Sequence, residues 1–259
     1  MEKDSRNIGQ DSATQAGHAQ LPLRAMILSA GLGTRFKPWT DHHPKALAVV
    51  NGKTLLQRNI EYLQQQGIYE VVVNVHHFAE QIIEAIDKNK GWGSHVMISD
   101  EKEEVLETGG GLLKAKDLLS GCRIITLNVD ILTDADLQKM ISDHIQKKAL
   151  ISLAVTQRKT SRYLLFNEDD RLCGWRNTAT GEERISLGAD VFIQKAFSGL
   201  AVMEPAIPDL IRFSGKFSLI DVYLSLAAGH LITAFDHSGG KLVDVGRTES
   251  VAIAEELFP

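Results

Sequence analysis

The apolar run Leu23–Leu28 has the length and composition of a buried β-strand, and it leads directly into a glycine-rich loop. This loop, Ala30–Lys45, reads AGLGTRFKPWTDHHPK. Glycine permits positive φ angles and lets the backbone come close to a ligand, so such a loop can present its N–H groups to phosphate oxygens. The sequence therefore predicts a buried strand with a phosphate-binding loop at its carboxyl end.

Arg35 and Lys45 are the two loop cations that could hold a phosphate. A guanidinium grips phosphate oxygens in a bidentate fork, and an ammonium acts on the same group as a point charge. Pro38 and Pro44 restrict the backbone, so both cations would lie on a stiff loop. A structural glycine turn that carries two solvated cations is the alternative interpretation of the same residues.

Two common phosphate-binding motifs do not fit this loop. The Walker motif requires Gly-Lys followed by Ser or Thr, which the loop lacks. The dinucleotide fingerprint Gly-x-Gly-x-x-Gly fails at its third glycine, where Phe36 stands. A dinucleotide-dependent oxidoreductase is therefore disfavoured.

The composition is that of an ordinary globular enzyme. The chain has 259 residues and is 44% hydrophobic, which is enough for a sizeable core. Its net charge of −5 argues against a nucleic-acid partner, so an anionic substrate would have to be held by local cations. Cys122 and Cys173 are too few for a disulfide framework, and we expect free thiols in a reducing compartment.

The sequence has no apolar run near the ~18 residues of a membrane span, and its start lacks the apolar core of a signal peptide. We therefore expect a cytoplasmic protein that does not bind membranes. Residues 1–21 are predicted to form a flexible polar tail, and residues 22–259 a single domain. Its two halves would be residues 22–155 and 156–259.

Over residues 23–155, strand patterns alternate with helix patterns. This predicts right-handed βαβ units and a Rossmann-like three-layer αβα sandwich around a mixed, mostly parallel sheet, with ligands beyond the carboxyl ends of its strands. The predicted strands are Leu23–Leu28, Glu70–Val75, His95–Ile98, Arg123–Leu127 and Leu150–Val155. The predicted helices are one capped by Thr54 that runs to Gln66 before Gly67, Phe78–Ile86, one that follows Gly109–Gly111 and runs to Leu119, and Ala135–Lys147.

After Val155 the pattern changes to short strands separated by turn residues, which predicts a small antiparallel extension. The predicted strands are Tyr163–Phe166, Leu172–Trp175, Glu183–Leu187, Leu231–Phe235 and Lys241–Val245, beside an apolar segment Ala196–Met203. Helices are predicted at Leu219–Ala228 and Thr248–Leu257.

Asp130 follows the predicted strand Arg123–Leu127, and a carboxylate there is costly unless it binds something positive. Mg²⁺ suits the position because it favours carboxylates together with substrate phosphates. An aspartate that starts a loop or caps a helix is an equally good interpretation of Asp130 alone. Asp244, two residues before Gly246, is on its own better explained as a strand-end aspartate before a glycine turn.

The loop pattern Gly-x-Gly-Thr-Arg-x-x-Pro-x-Thr-x-x-x-Pro-Lys closely resembles the activation loop of the sugar-1-phosphate nucleotidylyltransferases. So many positions at fixed spacing disfavour a purely structural turn. The resemblance covers most of residues 23–257 and is nearest to the N-acetylmuramate-1-phosphate uridylyltransferases. Two motifs depart from the family: Val129 replaces the glycine of Asn-Gly-Asp, and Leu242 and Arg247 replace the outer residues of Trp-x-Asp-x-Gly-Thr.

The resemblance implies an Mg²⁺-dependent transfer of a nucleotidyl group from a nucleoside triphosphate, with UTP favoured, to a sugar 1-phosphate. Residues 22–155 would bind the nucleotide and residues 156–259 the sugar. The implied catalytic residues are Arg35, Lys45, Asp130 and Asp244, with both aspartates as metal ligands. The implied nucleotide-binding residues are Leu28, Ala30, Gly31, Gly33, Thr34, Arg35, Thr108, Gly109 and Gly110, the last three because amides at a helix N-terminus bind anions and base edges. The implied sugar-binding residues are Glu183, Lys195, Gly199 and Asp221.

Two other functions stay open on the same scaffold. One is a mannose- or heptose-1-phosphate guanylyltransferase, and the other is a non-catalytic regulatory subunit that binds an NDP-sugar. The regulatory subunit would lack a loop cation or a metal carboxylate, and this chain has all four, which favours an enzyme. We expect a monomer or small homo-oligomer that contributes sugar nucleotides to cell-wall synthesis.

Overall fold

The computed structural model describes residues 21–259, so the predicted tail lies outside the described residues except for Leu21. The strands are β1 (Leu23–Leu28), β2 (Val49–Val50), β3 (Lys53–Thr54), β4 (Glu70–Val75), β5 (His95–Asp100), β6 (Arg123–Asn128), β7 (Ile131–Thr133), β8 (Ile151–Thr156), β9 (Arg162–Phe166), β10 (Leu172–Asn177), β11 (Glu182–Ile185), β12 (Ile193–Met203), β13 (Ile232–Asp236) and β14 (Leu242–Asp244). The helices are α1 (Leu55–Gln65), α2 (Ala79–Lys88), α3 (Glu107–Lys114), α4 (Lys116–Leu119), α5 (Leu137–Lys147), α6 (Ile207–Leu210), α7 (Leu219–Ala227) and α8 (Ser250–Leu257).

One large mixed sheet organises the fold, with strand order β11-β10-β9-β12-β6-β1-β4-β5 and with β8 and β13 branching from β12. The strands β6, β1, β4 and β5 run parallel to one another. The long strand β12 is antiparallel to β6, β8 and β9, and so joins the two halves of the chain through one sheet. The antiparallel meander β9-β10-β11 forms the end of the sheet. The predicted α/β class, the mixed sheet and its antiparallel extension are confirmed.

The first strand shows how the sheet separates two cores. Because successive side chains of a strand point to opposite faces, β1 sends Ala25 and Ile27 to one side and Met26 and Leu28 to the other. The first core is completed by apolar residues of α1, α2 and α5. The second is completed by α3, α4 and α7. Helices thus cover both faces of the parallel part of the sheet, β6-β1-β4-β5, as expected for parallel strands.

Local sequence signals account for the bounds of several helices. The N–H of Gln57 donates to Oγ1 of Thr54 at 3.1 Å, which confirms Thr54 as the N-cap of α1. Gly67 follows α1 with φ +75°, the left-handed conformation expected after a helix C-terminus. The helix predicted from Ala135 instead begins at Leu137, because the side chain of Asp136 accepts the N–H of Lys139 at 2.8 Å and caps it there.

Two further expectations concern the chain as a whole. Cys122 and Cys173 are both buried free thiols, as predicted. Among residues 21–259, no helix combines the length and the apolar character that a bilayer crossing requires.

A buried polar network joins α5 to the strands β6 and β8 and to Glu204, which follows β12. His144 on α5 is fully buried, and its ring nitrogens lie 2.9 Å from Oγ of Ser152 and 2.9 Å from Oε1 of Glu204. Glu204 also accepts from Nε of Arg123 at 2.8 Å. Burial lowers the pKa of His144, so the imidazole is neutral in the folded protein, accepting from Ser152 and donating to Glu204.

This network predicts a pH dependence of stability. The pKa of His144 is lower in the folded chain than its unfolded value of about 6.5, so below that pH the unfolded chain binds more protons. The stabilisation is therefore complete above about pH 6.5 and is lost as pH falls through the folded pKa. His144→Gln keeps a donor toward Glu204 but cannot titrate. When the pH is lowered from about 7.5 to about 5.5, across the unfolded histidine pKa of about 6.5, Tm should fall less in this variant than in the wild type. Parallel Tm curves would contradict the assignment.

Candidate active site

A cavity of about 520 Å³ opens where β1, β4 and β6 end. This nucleotide cavity, as we call it, is lined by the first loop, the ends of those strands, the start of α3 and the segment before α7. The predicted nucleotide-binding residues that line it are Leu28, Ala30, Gly31, Gly33, Thr34, Arg35 and Thr108. Ligands of open α/β sheets bind at this edge, beyond the carboxyl ends of the strands.

Glycine is required at one position of the first loop. Gly33 has φ +60°, and a Cβ there would lie 2.9 Å from Cγ2 of Thr40 and 3.2 Å from Cβ of Lys45. The hydroxyl of Thr40 donates to the carbonyl of Gly33 at 3.0 Å and closes the loop on itself. Phe36, which occupies the place of a third glycine, is 3% exposed and fixes the loop to the core. The Thr40 hydrogen bond and the buried Phe36 ring therefore both hold the loop in place.

Lys45 and Asp130 form the innermost charged contact of the cavity. Nζ of Lys45 lies 2.5 Å from Oδ2 of Asp130, and Lys45 is only 8% exposed. The side chain of Asn59 donates to the carbonyl of Val129 at 2.9 Å and fixes the turn that presents Asp130. Val129, which replaces the family glycine, is itself buried. Lys45 and Asp130, which were predicted as site residues from different parts of the chain, are therefore in contact.

Asp244 lies next to this pair. The strand β14 pairs with β7, and the N–H of Val245 donates to the carbonyl of Asp130 at 2.8 Å. The side chain of Asp244 reaches the surface, but protein atoms surround much of its carboxylate. This desolvation is the larger cause of its raised pKa, and the charge of Asp130 is the second. A Cβ on Gly246 would lie 2.6 Å from Oδ1 of Asp244 and 3.2 Å from Nη2 of Arg35. Glycine at this position therefore lets the side chains of Asp244 and Arg35 come together.

The two carboxylates suit a magnesium ion. Mg²⁺ is commonly held by one or two carboxylates together with substrate phosphates. Like charges placed close together favour a bound cation, and the charge of Asp130 adds to burial in raising the pKa of Asp244. Within residues 21–259, no larger cluster of His, Cys, Asp or Glu competes as a metal site.

The start of α3 differs from the prediction. Gly109–Gly111 do not precede a helix but lie inside α3, and Gly109 and Gly110 do not line the nucleotide cavity. Their N–H groups both donate to the carbonyl of Phe217, at 3.0 and 3.2 Å. A Cβ on Gly109 would lie 2.5 Å from the Phe217 ring, so these glycines permit close packing between α3 and the segment before α7. In this structure their amides are therefore occupied within the fold, and their role in nucleotide binding stays a prediction.

A second cavity, of about 560 Å³, adjoins the first at Arg35. Three further arginines line it, together with Asp244 and aromatic side chains. The arginines are Arg158, Arg162 and Arg247. No carboxylate in the described part of the chain forms a salt bridge with any of these three. Sequence reasoning missed them as site residues, because they are scattered over ninety positions and only the Arg247 substitution drew notice. We call this the arginine cavity.

The predicted sugar-binding residues line neither cavity. Lys195 is bound by Asp170 at 2.9 Å and Asp236 at 3.2 Å, so its ammonium is already neutralised within the fold. Glu183 lies 2.5 Å from Arg176 across the β10-β11 pair. The structure therefore gives Lys195 and Glu183 partners within the fold, and their contact with a sugar stays a prediction.

The other two predicted sugar residues have structural contacts near the site. Asp221 completes a capping box with Ser218 at the start of α7 and lies 2.8 Å from Arg184. Gly199 has φ +73°, and a Cβ there would lie 2.8 Å from Cγ1 of Ile131 and 3.0 Å from Nδ2 of Asn128. Gly199 therefore allows β12 to pack against the strand ends beside Asp130.

The site combines a glycine-rich loop, loop cations and strand-end carboxylates at the edge of a mixed sheet. This combination is typical of α/β proteins that bind phosphate-containing ligands. The chain belongs to the nucleotidyl transferase family, whose model matches residues 24–170.

Named relatives and solved structures agree with this family. The N-acetylmuramate alpha-1-phosphate uridylyltransferase of Caulobacter vibrioides is 42% identical over 43% of this chain and 47% of its own length. The D-glycero-alpha-D-manno-heptose 1-phosphate guanylyltransferase of Aneurinibacillus thermoaerophilus is 31% identical over 78% of this chain and 84% of its own length. HddC from Yersinia pseudotuberculosis, complexed with GMP-PN, shares the fold with a TM-score of 0.75 at 23% identity, covering 91% of this chain and 99% of that one. The chain thus spans about half the length of the uridylyltransferases it matches.

The packing of α3 predicts the effect of a single methyl group. Gly109→Ala would place its Cβ against the Phe217 ring and the carbonyl of Ser218, and overpacking of this kind costs about 1–3 kcal/mol. Gly188→Ala is the matched control, because a Cβ there meets nothing within 4 Å. Denaturant titrations should show a lower free energy of unfolding for the first variant only. Equal stability of the two variants would contradict the packing role.

Proposed function

We propose that the chain transfers a nucleotidyl group from a nucleoside triphosphate, with UTP favoured, to a sugar 1-phosphate. The products are an NDP-sugar and pyrophosphate. One observation carries the proposal: Arg35 lines both cavities, with the Lys45–Asp130 pair on one side and Asp244 on the other. Two anionic substrates, one in each cavity, would meet at this junction.

The chemistry needs no nucleophile from the protein. An oxygen of the sugar 1-phosphate attacks the α-phosphorus of the triphosphate, and the bond to the β-phosphate oxygen breaks to release pyrophosphate. A phosphomonoester carries about −1.5 to −2 charge at neutral pH, so it is already a competent anion. The residues then contribute by positioning the substrates and by neutralising their charge.

Each residue has a role in this transfer. Arg35 is placed to grip phosphate oxygens in a bidentate fork, and Lys45 to offset charge as the pyrophosphate departs. Asp130 and Asp244 would hold Mg²⁺, since the pair of carboxylates suits that ion. When bound, the ion supplies positive charge that offsets the repulsion between the two substrate phosphates. Asp130 also keeps the ammonium of Lys45 oriented toward the cavity.

The arginine cavity supports an anionic acceptor. Its arginines outnumber its one lining carboxylate, Asp244, in a chain whose net charge is −5, so positive charge is concentrated there against the overall field. Aromatic side chains such as Tyr163 and Trp175 add apolar surface of the kind that packs against a ring. A sugar 1-phosphate combines these two features.

Two alternatives stand beside the favoured function. Similarity to the heptose 1-phosphate guanylyltransferase supports a guanylyltransferase on the same scaffold. A non-catalytic subunit that binds an NDP-sugar is less well supported, because both cations and both carboxylates are present and adjacent.

A substrate panel tests the proposal. The protein is incubated with Mg²⁺ and UTP, GTP, CTP or dTTP, each with a set of sugar 1-phosphates, and pyrophosphate release is followed. We expect release with at least one pair and the highest kcat/KM with UTP. A preference of about tenfold for GTP, a size that pocket polar groups readily produce, would favour the guanylyltransferase. No release with any pair would favour the binding subunit.

Arg35→Ala should remove roughly 2–4 kcal/mol of transition-state stabilisation, the usual loss for one preorganised charge-stabilising donor. The measurement is kcat/KM with the accepted substrate pair, with circular dichroism to verify folding. Arg212→Ala, which removes an exposed arginine outside both cavities, is the control. A folded Arg35→Ala protein with kcat/KM within about twofold of wild type, far less than a charge-stabilising donor contributes, would remove Arg35 from the mechanism.

Asp130→Asn and Asp244→Asn should each abolish most Mg²⁺-dependent turnover, because asparagine keeps the shape but lacks the charge that holds the ion. Turnover is measured over a range of Mg²⁺ concentrations. Asp117→Asn, on the exposed surface of α4, controls for the loss of one negative charge. Full activity of either site variant at ordinary Mg²⁺ would show that its aspartate is not a ligand.

A further inference from the structure

Most polar groups on one wall of the nucleotide cavity are already occupied within the fold. This wall is formed by the start of α3 and the segment before α7. Oγ1 of Thr108 accepts the N–H of Leu219 at 2.9 Å, and Oγ of Ser218 donates to Oδ2 of Asp221 at 2.7 Å. The amides of the α3 glycines are bound to a carbonyl, as described above. The glycine amides and the Ser218 hydroxyl cannot bind a ligand without giving up a contact, whereas Thr108 accepts at Oγ1 and keeps its hydroxyl hydrogen.

Asn74, on the adjoining strand end, is occupied in the same way. Its Oδ1 accepts the N–H of Ser29 at 2.7 Å, and its Nδ2 donates to Oε1 of the fully buried Glu101 at 2.6 Å. An ionised carboxylate only accepts hydrogen bonds, so Glu101 fixes which end of the Asn74 amide faces Ser29. Asn74 therefore serves the structure of the loop.

Glu107 and Lys216 are the charged side chains of this wall, and they remain available beside the Thr108 hydroxyl. Both line the nucleotide cavity. Oε1 of Glu107 lies 3.7 Å from Nζ of Lys216, too far for a hydrogen bond, and the two side chains are 47% and 54% exposed. Within residues 21–259, no hydrogen bond engages either side chain. The wall thus presents a carboxylate acceptor beside an ammonium donor.

The backbone of Glu107 adds a second, independent observation. Its φ is +59°, in the left-handed region that disfavours residues with a Cβ. Among the described residues that are not glycine, it is the one with positive φ that lines the nucleotide cavity. Such strain persists where the surrounding structure or the function requires it. Glycine would adopt this conformation without strain, so a glutamate here carries a backbone cost on the wall of the cavity.

We propose that Glu107 and Lys216 read the base of the bound nucleotide, and that they select a base whose ring N–H lies beside a carbonyl. This proposal rests on the nucleotide site of the proposed function. The carboxylate would accept from the ring N–H, and the ammonium would donate to the carbonyl oxygen. Uracil, thymine and guanine present this edge. Cytosine and adenine present an unprotonated ring nitrogen beside an amino group, so they would leave the carboxylate facing a lone pair.

Equilibrium binding tests the proposal without requiring turnover. Isothermal titration calorimetry with Mg²⁺ compares UTP, GTP, CTP and ATP on the wild type, Glu107→Gln and Lys216→Met. We expect UTP or GTP to bind at least about tenfold more tightly than CTP and ATP, because a base with the wrong edge would cover Glu107 and Lys216 without pairing them. Glutamine can donate as well as accept, so Glu107→Gln should reduce the preference for UTP over CTP by about tenfold. Lys216→Met should weaken binding of UTP and GTP.

The control is Glu61→Gln, which removes a carboxylate paired with Lys53 at 2.6 Å outside the nucleotide cavity, and which should leave all affinities unchanged. Glu107→Gly separates reading from structure: relief of the left-handed φ should keep or raise Tm while the UTP preference falls. A lower Tm for Glu107→Gly together with an unchanged base preference would assign Glu107 a structural role and overturn the proposal. Equal affinity of the wild type for all four nucleotides, or an unchanged preference in both Glu107→Gln and Lys216→Met, would also overturn it. Base-selective binding without pyrophosphate release would sink the proposed transfer but not the base reading.

Discussion

The contact between Lys45 and Asp130 is the interaction on which the rest of the site depends. It joins the end of the first loop to the end of β6 across 85 positions of sequence, at a distance of 2.5 Å. Because Lys45 is buried, removal of Asp130 would leave a desolvated ammonium without its partner, which is far more costly than loss of a surface pair. The first loop can therefore fold in one way only, with its cation at the strand end.

The pair also sets the electrostatics of its surroundings. The charge of Asp130 contributes to the raised pKa of Asp244, while Lys45 and Arg35 act in the opposite direction. The site thus holds two cations and two carboxylates close together. Polyanionic substrates would add negative charge beside the cations, and a divalent cation would add positive charge beside the carboxylates. A net charge of −5 on the whole chain does not oppose this, because charges separated by more than about 8–10 Å are largely screened in physiological salt.

Sequence reasoning was confirmed where the signal was local, and it could not foresee contacts between distant parts of the chain. The strand Leu23–Leu28 and the cap at Thr54 follow from patterns within a few residues, and both were predicted correctly. Lys195 was assigned to the sugar because nothing nearby shows that its ammonium is neutralised from 25 and 41 positions away. The glycines of α3 were assigned to a ligand because a glycine that admits a neighbouring chain looks, in sequence, like one that admits a nucleotide.

The packing of the α3 glycines against the segment before α7 has a structural consequence. Since the carbonyl of Phe217 occupies the α3 amides, the segment before α7 is fixed against α3 and becomes part of the cavity wall. Lys216 then lines the nucleotide cavity, while Ile220, four residues later, lines the arginine cavity. One short segment therefore shapes both cavities. Glycine packing therefore sets the position of the wall, and with it the place of the Glu107 and Lys216 side chains beside the cavity.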